Sequence, residues 1–174
     1  MNYIFNNDVN FKIGFAIIRN KTVVNKRDIT RKNIQKATEE LADYFQDIPS
    51  NIDEIFNCLR SHLRRNPTIL GSGFAFSPEI RTCCPFVHRG INGLESKDIG
   101  QEFCYTNTVW YDVALKQRKA VWSVPYFDIG KAGEDILLTT YSIPLYNKNS
   151  RIMGVLISDL LLAKLEEIPK IEKI

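Results

Sequence analysis

At 174 residues with 44% hydrophobic content, the chain is one domain's worth and can bury a core without metal or disulfide staples. Its formal net charge of +3 spreads over interleaved acids and bases, which gives no electrostatic footprint for nucleic acid. No stretch reaches the ~18 to 20 apolar residues of a membrane span, and Met1 to Asn10 lacks a basic region followed by an apolar one.

The four cysteines, Cys58, Cys83, Cys84 and Cys104, form no CxxC pair and have no histidine at metal spacing, so no metal site and no cofactor is expected. Vicinal Cys83 and Cys84 would make a strained ring if bridged and read as ordinary thiols in a strand or turn.

In chain order, residues 1–29 read as an arm or short hairpin, with the β-rich run Phe11 to Ile18 turning at Asn20-Lys21 into Thr22-Val23-Val24. From Thr30 the period changes. Ile34, Ala37, Leu41, Tyr44, Phe45 and Ile48 recur at steps of three and four, lining one face of a helix that Pro49 stops. That stripe is nearly heptad and also suits pairing with a second copy as a homodimer, although packing against a sheet is the preferred reading.

Ser50 with Asp53 resembles the start of a second amphipathic helix carrying Ile52, Ile55, Phe56, Leu59 and Leu63 and ending before Asn66-Pro67. The basic run Arg60, His62, Arg64, Arg65 falls at its C-terminal end, where cations complement the helix dipole, and reads as a solvated helix end.

Five strands follow: Ile69 to Ser77, Pro85 to Arg89, Ala120 to Phe127, Ile136 to Tyr146 and Arg151 to Asp159. Asn147 to Ser150 is a polar turn, Gly130 to Gly133 a flexible link, and Leu160 to Ile168 reads as a short exit helix. Ile91 to Asn107 reads as a long irregular loop over a pocket. The expected fold class is α+β, an antiparallel sheet of five to six strands with a long N-terminal helix and a second helix packed on it.

Three aromatic elements converge on function: Trp110-Tyr111, Trp122 through Asp128, and Thr139 to Pro144. Trp and Tyr join an apolar body to a polar tip, which suits gripping a small, partly polar ligand. Trp122 reads as core; Trp110, Tyr111, Tyr126 and Tyr141 read as candidate ligand contacts. Asp128 reads as a turn cap, while Asp159 is open between capping the exit helix and touching ligand. His88, Arg89 and Arg81 are further candidate contacts. An enzyme reading would need Cys83 or Cys84 with His88 and an acid, and nothing places those thiols where they would be activated.

The ordered set Trp110-Tyr111, Trp122-Ser-Val-Pro-Tyr-Phe-Asp128, Thr139-Thr-Tyr-Ser-Ile-Pro-Leu-Tyr146 and Gly154-Val-Leu-Ile-Ser-Asp-Leu160, with Asn66 to Pro78 upstream, resembles the Cache (PDC-type) sensor domain. The resemblance spans about Thr30 to Leu165. It implies a PAS-like sheet behind a long helix in residues 30–168, lying outside the inner membrane on the periplasmic side, with residues 169–174 leading toward membrane-proximal parts. It also implies a small-molecule ligand, flanking transmembrane helices and a cytoplasmic effector elsewhere in the receptor, no catalysis, and signalling by population shift through the loop and terminal helices. In that family's amino-acid-binding branch an Arg precedes the Trp by two residues and a Tyr stands further upstream. Here those places hold Thr108 and Phe103, while Tyr126 and Asp159 match positions that hold the ligand's carboxylate and ammonium ends. The expected ligand is therefore an unidentified small molecule rather than an α-amino acid.

Overall fold

The structure, a computed structural model, describes residues 28–45, 48–49, 51–128 and 136–164. The arm expected before residue 28 and the link at Gly130 to Gly133 lie outside the described residues. Met1–Asn33 and Ile34–Ile174 form two compact units; of the first, residues 28–33 are helical.

Helix α1 (residues 28–44) turns Ile34, Ala37 and Leu41 into the core, and Phe45 follows them there, as the period requires. Tyr44, expected on that stripe, is 65% exposed; the helix instead buries Thr38 and Ala42. Helix α2 (Ile52–Arg65) is capped by Asn51, not Ser50, its Oδ1 accepting from the Asp53 N–H at 2.9 Å. Its apolar face buries Ile55, Leu59 and Leu63. His62, expected on a solvated helix end, is buried on the same face, while Arg64 and Arg65 are exposed.

Among the described residues, seven antiparallel strands form one sheet: β1 (Gly71–Phe76), β2 (Pro85–Gly90), β3 (Gly93–Asp98), β4 (Val121–Trp122), β5 (Tyr126–Asp128), β6 (Ile136–Tyr146) and β7 (Ile152–Lys164). The order is β3-β2-β1-β7-β6-β4, with β5 also paired to β6.

The elements differ from the expected ones at three places, and one helix appears where none was assigned. The Ile91 to Asn107 segment is not an irregular loop: Gly93, at φ 119°, returns the chain as edge strand β3, and two 3-10 turns follow at Ile99–Gln101 and Tyr105–Asn107. Strand β3 reads Gly-Leu-Glu-Ser-Lys-Asp and carries little apolar signal because it is largely solvated. The Ala120 to Phe127 run breaks into β4 and β5 at Ser123-Val124-Pro125, where proline lacks a ladder donor. Trp110 and Tyr111 lie on a third helix, α3 (Val109–Gln117), whose stop at Arg118 is left-handed (φ 52°) without the usual glycine. Finally, Leu160 to Lys164 continue β7 against β6, with Ile136 opposite Lys164, so no exit helix begins there; residues 165–168 lie outside the described residues.

The alternation of strands sends side chains to two cores. Phe74, Phe76, Val87, Tyr141, Ile143, Leu156 and Leu160 meet α2 and the residue 34–45 stripe. The near-heptad stripe is thus spent on the sheet. Ala75, Val155 and Ile157 meet α3, Tyr105 and Ile99 on the opposite face. The Asn147 to Ser150 turn forms as expected, Asn147 Oδ1 accepting from the Asn149 and Arg151 N–H groups at 3.0 Å each.

Candidate ligand-binding cavity

The α3 side of the sheet leaves a cavity of about 190 Å³. That is below the ~300 to 1,000 Å³ of sites for drug-sized ligands and suits a metabolite. Its floor comes from pocket-facing positions of β1 and β2. Gly71 and Gly73 alternate on that face, and a Cβ at either would meet the Phe86 ring. Because β1 carries no side chain there, Phe86 lies flat over it and presents its ring to the cavity. Trp110 and Val109 of α3 close one wall, Ile99, Glu102 and Phe103 of the first 3-10 turn region another, and Tyr126 to Asp128 of β5 a third.

Asp159 supplies the buried charge. It is 5% exposed on the pocket face of β7, and Thr140 Oγ1 on the neighbouring strand donates to its Oδ1 at 2.7 Å. Thr140 Oγ1 in turn lies 2.7 Å from Tyr126 Oη. Burial raises the Asp159 carboxyl from 3.8 to about 7, Asp128 adding to the rise and the Thr140 hydrogen bond opposing it. Burial and the Asp159 charge also push the Tyr126 phenol up, so it stays a neutral hydroxyl.

Of the residues expected to contact ligand, Trp110, Tyr126, Asp159, Thr108, Phe103 and His88 line this cavity. Three do not. Tyr111 follows Trp110 on a helix, where neighbours diverge by ~100°, and packs edge-on to Tyr105 at 5.5 Å in the α3-side core. Tyr141 points to the helix side of the sheet, where its hydroxyl donates to Glu39 Oε1 at 2.7 Å. Arg89 points there too, and its guanidinium donates to the main-chain carbonyls of Leu63, Asn66 and Ile69, closing the C-terminal end of α2. Arg81 is exposed and outside the cavity. Thr108 lines the wall but spends its hydroxyl on the Tyr105 carbonyl at 2.6 Å.

Sequence reasoning missed Phe86 and the Lys97–Glu102 ion pair (3.1 Å), which borders the cavity. The Gly-Ser-Gly pattern of 71–73 was the available signal for the first. Asp128, read as a turn cap, lines the cavity. Asp159 is no helix cap, since it sits within a strand. Cys83 and Cys84 pack into opposite cores, and burial raises Cys83 to about 12 and Cys84 well up, so neither is a thiolate near neutral pH. Among the described residues no group of His, Cys, Asp or Glu is placed to hold a metal.

Residues 55–167 match the family model of the methyl-accepting chemotaxis protein-like first PDC sensor domain. The chain belongs to this PDC sensor family. Among solved structures, the extracellular domain of soHK1S-Z6, described as a histidine kinase, is 30% identical with a TM-score of 0.66, covering 75% of this chain and 53% of that one. The ligand-binding domain of the Campylobacter jejuni chemoreceptor Tlp3 with 4-methylisoleucine is 19% identical with a TM-score of 0.61, covering 81% and 55%. The ligand-binding domain of Mlp24 with asparagine is 19% identical with a TM-score of 0.63, covering 89% and 60%. The chain therefore spans about half to three-fifths of these domains. No curated protein matches it. PDC sensor domains of this kind are parts of receptors, not enzymes. No helix among the described residues is long and apolar enough to cross a membrane.

Proposed function

We propose that residues 30–168 are the extracytoplasmic, periplasmic input domain of a membrane signalling receptor, and that the cavity between the sheet and α3 is where it senses a small molecule. The observation that carries the reading is Asp159: a carboxyl held by one oxygen on Thr140, deep in a cavity walled by Phe86, Trp110 and Tyr126. A buried carboxylate is costly unless something compensates it, and a ligand ammonium or strong donor over aromatic faces does so. Flanking transmembrane helices and a cytoplasmic effector complete the receptor. Ligand on the sheet favours one arrangement of the wall that Ile99 to Phe103 and the start of α3 set beside the cavity, and the terminal segments read that shift.

The test is a thermal-shift screen of amines, amino acids, carboxylates, purines and sugars, since a compound that binds only the folded state raises the melting temperature. At least one class is expected to stabilise the wild type and not the Asp159→Asn variant. A stabilising compound equally effective on that variant would remove the cavity from the reading.

A further inference from the structure

On the helix face of the sheet, His62 of α2 is 2% exposed and touches Ser158 of β7, which in turn touches Thr38 of α1 and Ser72 of β1. The protons at this junction can be followed one by one. The Thr38 hydroxyl donates to the Ile34 carbonyl at 2.7 Å, and the Ser72 hydroxyl to the Ile157 carbonyl at 2.6 Å. A carbonyl only accepts, so each of these hydroxyls has spent its one proton. The proton in the 2.9 Å contact between Thr38 and Ser158 therefore comes from Ser158. Ser158 is left with lone pairs, and His62 Nε2, at 3.3 Å, supplies the N–H that meets them. On the far side of the ring, His62 Nδ1 lies 3.4 Å from Asn66 Nδ2, which also donates to the His62 carbonyl at 2.9 Å.

This arrangement fits one neutral tautomer and has no place for a second proton. A proton on Nδ1 would face the Asn66 amide donor, and turning that amide over would set its oxygen against the His62 carbonyl. We propose that the junction is an acid-operated release, through which the domain reads proton concentration at a place apart from the cavity. Uptake of a solvent proton at His62 Nδ1 breaks the contact with Ser158, and the imidazolium turns into the groove between α1 and α2.

The charges around the ring favour that exit. On α2 itself Arg65 lies within one turn, and Arg89 of β2 donates to the Leu63 and Asn66 carbonyls, so an imidazolium held in place would have two guanidinium groups as neighbours. Strands β1 and β7 bring the hydroxyls of Ser72 and Ser158, while Asp159 stands on the opposite face. From α1 come Glu40 and Tyr44, which line an open groove of about 530 Å³ together with His62, Cys58 and Arg65. The Glu40 carboxylate, paired with Lys36 at 3.9 Å along the helix, is the anion that a ring leaving the core meets there.

Burial first, and then the Arg65 charge, accordingly lower His62 from 6.5 to about 4. A closed junction rejects the proton that an open one accepts. The open population therefore grows as pH falls from 6.5 toward about 4, by roughly tenfold per pH unit, and levels off below. Ile34, Ala37 and Leu41 still hold α1 on the core, so what loosens is the seam between α1, α2 and Ser158 and not the sheet.

The experiment takes the full chain from pH 7 to 4 in NMR, reading the ring titration of its two histidines and amide hydrogen exchange corrected for the intrinsic rate. One ring, identified by its absence in His62→Gln, is expected to titrate near 4. Exchange at the amides of α1 from Ile34 onward and of the last turn of α2 should quicken by roughly tenfold per pH unit, while β6 and β7 stay protected. His62→Gln should flatten that dependence. Arg65→Gln, which leaves the junction's side-chain hydrogen bonds in place, should raise both the ring midpoint and the pH at which exchange quickens. A dependence that persists in His62→Gln, that does not move in Arg65→Gln, or that β6 and β7 share overturns the proposal. A His62 ring that titrates while α1 exchange stays constant overturns it as well.

Discussion

Tyr126 and Asp159 are joined through a single atom: Thr140 Oγ1 lies 2.7 Å from the phenol oxygen and donates at 2.7 Å to the carboxylate. Threonine has one proton to give, so with Asp159 ionised it is Tyr126 that donates to Thr140. The position of the β5 aromatic is thereby tied to the charge on β7. Thr140→Val should leave both neighbours under-satisfied and lower stability by about 1 to 3 kcal/mol, read by chemical denaturation. Tyr126→Phe removes only the outer donor, and a loss of about 1 kcal/mol is expected there.

Stability should depend on pH through two buried groups that pull in opposite directions. Asp159 is raised from 3.8 to about 7 by burial first, so the folded chain keeps a proton that the unfolded chain releases as pH rises through that window. Folding stability therefore falls between those values, by on the order of 4 kcal/mol, and the cost persists above them. His62 is lowered from 6.5 to about 4, by burial and then by the Arg65 charge. Here the unfolded chain binds the proton first, so stability is lost as pH falls through that window, by on the order of 3 kcal/mol. In the wild type the two slopes oppose each other over the shared range. Asp159→Asn should expose the acid-side loss and exceed the wild type at pH 8; His62→Gln should expose the opposite slope. Denaturation midpoints at pH 4.5, 6 and 8 decide it.

The same Asp159 sign predicts ligand behaviour. A cationic ligand requires the ionised carboxyl, so its affinity should climb as pH rises toward and past about 7 and then level off. An affinity independent of pH between 5.5 and 8 would mean that Asp159 does not meet the ligand's charge.

Gly71 and Gly73 should respond differently to alanine. At Gly71 the added carbon meets the far edge of the Phe86 ring and Asp159 Oδ2 at 3.1 Å, so the ring can tip into the cavity. The expected result is a modest destabilisation of about 1 kcal/mol with a marked loss of ligand affinity. At Gly73 the added carbon also meets the Pro85 carbonyl at 2.9 Å, which is backbone and cannot move aside, and a loss nearer 3 kcal/mol is expected. Melting temperature and titration calorimetry on both variants separate the two effects.

Arg89→Gln tests a correction to the sequence reading. Because the guanidinium serves three main-chain carbonyls on the helix side, its loss should destabilise the fold by about 2 to 3 kcal/mol while leaving ligand affinity intact. A selective loss of affinity would return Arg89 to the ligand.

The long strands and the two N-terminal helices were legible because a strong period of apolar residues marks each of them. Strand β6 was read to the residue, Ile136 to Tyr146. What escaped lacked that mark. Strand β3 is polar at an edge, α3 is nine residues long and ends without glycine, and the last residues of β7 are leucines that serve strand or helix equally. At the cavity, Trp110, Tyr126 and Asp159 were reachable from residue chemistry and family-like order. Arg89, Tyr111 and Tyr141 were assigned by type, and what decides them is facing: one residue's shift in strand or helix turns a side chain to the opposite core.

That alternation places Ser158 directly behind Asp159. Ser158 is fully buried, and its hydroxyl lies 2.9 Å from Thr38 of α1, 3.3 Å from His62 of α2 and 3.4 Å from Ser72 of β1. One peptide unit of β7 thus has the cavity's carboxylate on one side and the meeting point of both helices on the other. The sheet there is one residue thick, so the cavity's carboxylate and the contact with α1 belong to adjacent side chains of a single strand.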